Sequence, residues 1–129
     1  MFLKNNCLSI LWGLLIILLT TLPGNVFPRL PSYLDLLQPD KLVHLFIFLV
    51  FVFLMIRGFQ SADTPPVIRR NPITVALTLA ITIGGLTEVI QGYFIPMRIG
   101  SPYDFIANTV GSALGACLSL IILRRNENG

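Results

Sequence analysis

The stretch "EVIQGYFIPMRIGSPYDFIAN", residues Glu88 to Asn108, decides how this chain folds, because it sets Glu, Gln, Arg, Asp and Asn between two long apolar runs. The run before it starts after Pro72 and stays free of charge until Glu88; the run after it, Phe105 to Leu123, ends at Arg124 and Arg125. Continued weakly to Ile95, the first is long enough for a helix that crosses a hydrocarbon core of about 30 Å, as is the second. Pro96 and Gly100 mark a tight turn between them, and "SPYD" reads as a helix start. Ser101 would be the N-cap, Pro102 the first helical residue, and Asp104 the third, in a capping box with Asp in the usual place of Glu or Gln.

The rest of the chain fits this hairpin. Of its 129 residues, 54% are hydrophobic and 12% charged, about half the charged share of a soluble domain, and the mean hydropathy is +0.80. Two further apolar runs precede the hairpin. One has its centre at Leu8–Leu22, and "TTLPGN" after it offers no small-x-small cleavage site, so it reads as a retained helix and not a signal. The other, "LVHLFIFLVFVFLMI", lies between Lys41 and Arg57. Because hydrocarbon tolerates no unpaired backbone, the expected fold is all-α: one transmembrane domain over residues 1–129, a bundle of four helices near 7–23, 41–57, 72–95 and 102–123.

Lys4, Arg57, Arg69, Arg70, Arg124 and Arg125 fall on one side of this bundle, and Arg29, Lys41 and Arg98 on the other. The positive-inside bias then puts both termini in the cytoplasm. A net charge of +3 and a pI near 9.2 come from scattered loop cations that form no basic stripe, so nucleic acid is not an expected partner. Cys7 and Cys117 stand alone and read as small buried hydrophobes. Ala107, Gly111, Gly115 and Ser119 recur every four residues and form a ridge for close helix packing, within the chain or, alternatively, in a homo-oligomer.

The polar residues form three pairs at helix spacing: Asp40 and His44, Glu88 and Gln91, Asp104 and Asn108. In an up-and-down bundle all three reach the same membrane face, together with Lys41 and Arg98. A carboxylate inside a membrane helix costs about 2.5–3.5 kcal/mol on insertion scales, so such groups face a bundle interior or a wet cavity and have partners. Two helix starts and two cations suit an anion such as a lipid phosphate. Glu88, His44 and Asp104 are the candidates for acid–base work. No HExxH or similar ligand spacing occurs, and neither a metal nor another cofactor is expected.

"DKLVH" (Asp40, Lys41, His44), "EVIQ" (Glu88, Gln91) and "RIGSPYDFIANTVG" (Arg98, Ser101, Asp104, Asn108, Gly111) together resemble the VanZ-like family of small multi-pass bacterial membrane proteins, over about residues 38–116. The resemblance implies a helical bundle in the bacterial cytoplasmic membrane, a role in the cell envelope, and a link to resistance against the glycopeptide teicoplanin. It also implies that Asp40, His44, Glu88, Gln91, Arg98, Asp104 and Asn108 act as one site, beside which Lys41 is a further ligand-binding candidate. The expected ligand is an anionic lipid head group or an amphiphilic drug. An enzyme acting on a lipid-linked envelope substrate, or a structural partner subunit, are the alternatives.

Overall fold

The structure, a computed structural model, describes residues 1–26, 28 and 31–127, and for residues 35, 36 and 127 the backbone alone. Arg29, counted above toward orientation, lies outside the described residues. Four main helices carry the fold: α1 (Cys7–Thr20), α2 (Pro39–Phe59), α3 (Pro72–Phe94) and α4 (Pro102–Glu127). Short helical turns at Phe2–Asn5, Ser32–Leu37 and Pro66–Arg70 join them, and no strand occurs among the described residues. By length and composition three segments can cross a membrane: the one containing α2, then α3 and α4. The remaining apolar helix, α1, has 14 residues, about 21 Å at 1.5 Å per residue.

α1 ends earlier than the apolar pattern predicts. The Thr20 hydroxyl donates to the Ile16 carbonyl (2.8 Å) and that of Thr21 to the Leu18 carbonyl (2.8 Å), local bonds that compete with helix continuation. Pro23 then disfavours the helical conformation at Leu22. α2, α3 and α4 instead start on a proline as their first helical residue, where the missing N–H and the fixed φ cost nothing. α2 is longer than expected, because Pro39 and Asp40 form its first turn and Gly58 and Phe59 its last.

α2 is the central helix. Phe48, Val52 and Ile56 on it are fully buried, and Ile16, Ala76 and Ala80 close around them from α1 and α3. Its tightest neighbour is α4, against which it packs through Gly111 and Gly115. A Cβ at Gly111 would lie 2.1 Å from the Leu45 carbonyl oxygen, and one at Gly115 2.3 Å from that of Leu49. The small-residue ridge of α4 is thus taken up within the chain, by backbone that only glycine lets this close. α1 is tied to α2 through the Trp12 indole N–H, which donates to the Ile47 carbonyl (2.8 Å). At the other end, Asn6 fits against Gly58, where a Cβ would come 2.2 Å from Asn6 Oδ1.

The outward surface is apolar: Leu8, Leu14, Leu18, Leu86, Leu114 and Ile121 are all exposed, as a bundle solvated by lipid requires. The two cysteines belong to this surface. Both Cys7 and Cys117 are exposed, which corrects the expectation of burial: the interior positions of α1 and α4 go to smaller or polar residues such as Ser9, Ser112, Ala116 and Ser119.

Candidate functional site

Three helix ends meet at one end of the bundle: the start of α2, the end of α3 and the start of α4. α2 contributes Asp40, Lys41 and His44, α3 contributes Glu88 and Gln91, and α4 contributes Asp104 and Asn108. His44, Gln91, Asp104 and Asn108 are all buried.

At the centre, His44 Nδ1 lies 2.9 Å from Asn108 Oδ1. An amide oxygen only accepts, so the ring nitrogen carries the hydrogen and donates it. The same nitrogen is 3.9 Å from Glu88 Oε1. Glu88 Oε2 accepts the backbone N–H of Ser101 (3.1 Å). This contact changes the expected cap. Ser101 Oγ does accept the Tyr103 N–H (3.3 Å), but the Ser101 N–H is satisfied by Glu88 of the neighbouring helix and not by Asp104. Asp104 turns inward, with Oδ1 3.7 Å from Lys41 Nζ. Lys41 also lies 3.9 Å from Asp40 Oδ1 and makes no hydrogen bond among the described residues. It does not reach outward along the helix as an interfacial anchor would.

Gln91 and Arg98 also tie α1 to this end of the bundle. Gln91 Nε2 and an Arg98 guanidinium N–H both donate to the Thr20 carbonyl oxygen (2.9 and 3.1 Å), and so hold the last turn of α1, whose final carbonyls have no helical partner. Thr20 is a site neighbour that sequence reasoning missed, because a backbone carbonyl leaves no signal in residue type. Two close approaches fix the intervening turn. A Cβ at Gly100 would be 2.8 Å from the Glu88 carbonyl oxygen, and Met97 is held at φ 61°, a left-handed conformation uncommon outside glycine.

The expected anion cradle at the start of α4 has no free backbone donor. Ser101 N–H goes to Glu88, that of Tyr103 to Ser101 Oγ, and those of Asp104 and Phe105 to the Ser101 carbonyl; Pro102 has none. What the site leaves over is mostly acceptor. Glu88 Oε1 and Asp104 Oδ1 are buried without a hydrogen bond, as is the Asn108 amide nitrogen. One ligand atom each from His44, Glu88 and Asp104 lies within 4.8 Å of the other two.

Two grooves flank the first turn of α4. The larger, about 570 Å³, runs between α3 and α4, with Glu88 and Ser101 in a lining that is otherwise mostly apolar, Gly85, Val89 and Phe105 among it. The smaller, about 140 Å³, lies between α2 and α4, with Lys41 and Tyr103 at its edge. Compared with family models, curated proteins and solved structures, the chain matches none.

Proposed function

We propose that this chain crosses the bacterial cytoplasmic membrane four times, with both termini inside, and binds the anionic head of an envelope amphiphile under the outer face. The observation that carries this reading is the groove between α3 and α4: mostly apolar in its lining, with Glu88 and Ser101 set into it and a buried charged cluster beside it. That division suits a molecule with an apolar body and a polar head. Lys41 borders the adjoining groove between α2 and α4, not this one; with only distant carboxylates around it, it biases the cluster toward an anionic head. The VanZ-like motifs support the envelope setting and a role in the response to lipophilic glycopeptides such as teicoplanin.

Native mass spectrometry with phosphatidylglycerol and phosphatidylcholine tests the proposal. The protein should retain phosphatidylglycerol preferentially, Gly85→Phe should abolish retention by filling the groove, and Lys41→Gln should remove the preference for the anionic head. A Cβ at Gly85 meets only the Phe105 ring edge, at 3.7 Å, so the bulk enters the groove and leaves the cluster untouched. Unchanged phosphatidylglycerol retention in both variants would contradict the proposal.

One observation favours a second reading, an enzyme acting on a lipid-linked substrate: His44 and Glu88 stand 3.9 Å apart beside the same groove, within reach of an acid–base role. Loss of turnover in Glu88→Gln, with the amphiphile still bound, would distinguish it from binding alone.

A further inference from the structure

We propose that His44, Glu88 and Asp104 hold a divalent metal ion. Their ligand atoms lie within 4.8 Å of one another. Metal–ligand bonds of about 2.0–2.2 Å keep donors no more than about 4.4 Å apart, so the trio is spread slightly wider than a loaded site. The three come from three helices, and the close α2–α4 packing around Gly111 fixes two of them relative to each other. One imidazole nitrogen and two carboxylate oxygens form a donor set suited to Mn²⁺, Fe²⁺ or Zn²⁺.

A second, independent observation points to a cation. Asp104 is 5% exposed, and its Oδ1 has no hydrogen-bond partner; Lys41 Nζ, at 3.7 Å, is beyond hydrogen-bonding distance. Glu88 Oε1 is equally without a partner, while Oε2 is already committed to the Ser101 N–H. Two buried carboxylates this close are strongly unfavourable in an apolar interior without positive charge nearby; Lys41 and Arg98 supply part of that charge but give neither of these oxygens a hydrogen bond. Asn108, 2.9 Å from His44 Nδ1, sets the ring as outer-shell carbonyls set metal-bound imidazoles.

The ion would also make an acceptor-rich pocket able to receive an anionic head; this extension rests on the amphiphile reading, whereas the metal site itself does not. Lys41 is then a competitor for Asp104, and its removal strengthens binding, an effect that a merely structural lysine would not produce.

The test uses the full chain in zwitterionic detergent without added lipid, titrated with Mn²⁺ while the free ion is followed by electron paramagnetic resonance. One ion per chain is expected. Glu88→Gln and Asp104→Asn each weaken binding at least tenfold, and Lys41→Met strengthens it severalfold. Helical content and melting temperature confirm that the near-isosteric variants fold. Absence of Mn²⁺ uptake by the unmodified protein at millimolar concentration, or wild-type affinity in both amide variants, overturns the site. Because no amphiphile is present, failure of the groove reading does not affect this result.

Discussion

Replacing Gly111 by alanine is expected to destabilise this protein by about 1–3 kcal/mol, the usual cost of overpacking a tight interior. Alanine is the better helix former by about 1 kcal/mol, so helix propensity alone gives the opposite sign. Packing decides the outcome. The added methyl would sit 2.1 Å from the Leu45 carbonyl oxygen, which is backbone of α2 and cannot rotate aside as a flexible side chain could. α2 and α4 must separate along the seam that also positions His44 against Asn108. Gly85→Ala is the matched control: its Cβ meets only an aromatic edge at ordinary contact distance, 3.7 Å, so it should equal or exceed the unmodified protein. Unfolding in mixed micelles, with the two variants side by side, measures both. Equal stabilities would show that the α2–α4 contact is looser than described.

The second large effect lies in the polar cluster. Asn108→Leu removes the acceptor of a buried His44 N–H and should cost about 1–3 kcal/mol, the penalty for stranding a buried donor. His44→Leu alone strands Asn108 in turn. In the double variant neither group is left unsatisfied, so its loss should be smaller than the two single losses together, with a coupling of at least about 0.5 kcal/mol. A double-mutant cycle on melting in micelles checks this. Strictly additive losses would mean that the 2.9 Å contact contributes little and that His44 is held by other groups.

Much of the architecture was legible because bilayer physics leaves strong marks on sequence. Apolar runs bounded by Pro and charged residues gave α3 and the start of α4 nearly to the residue, although α4 runs on through Arg124 and Arg125 to Glu127, and the i, i+4 spacing of Asp40/His44 and Asp104/Asn108 put these pairs on shared faces. Their meeting at one end of the bundle followed from alternating helix direction. The length of α1 was not legible, because the Thr20 and Thr21 hydroxyls end it through local bonds that hydropathy does not register. The division of the polar set was also hidden. Gln91 and Arg98 both bond the Thr20 carbonyl, a partner with no side-chain signature. Glu88 takes the capping role that spacing assigned to Asp104, since only the folded hairpin brings α3 beside the Ser101 N–H. The His44–Glu88–Asp104 trio is spread over three helices, so no local ligand spacing could announce it.

The proposed binding site at the polar end of the bundle, opening into a lateral groove, competes with a sealed network that merely fixes helix register. A crystal structure grown from a lipid phase containing phosphatidylglycerol tests it most directly. A lipid lying along Gly85 and Phe105 with its head group beside Glu88 and Ser101 is the expected result. A groove closed by its own side chains, with Glu88, His44 and Asp104 satisfied entirely by one another and no lipid beside them, would contradict it.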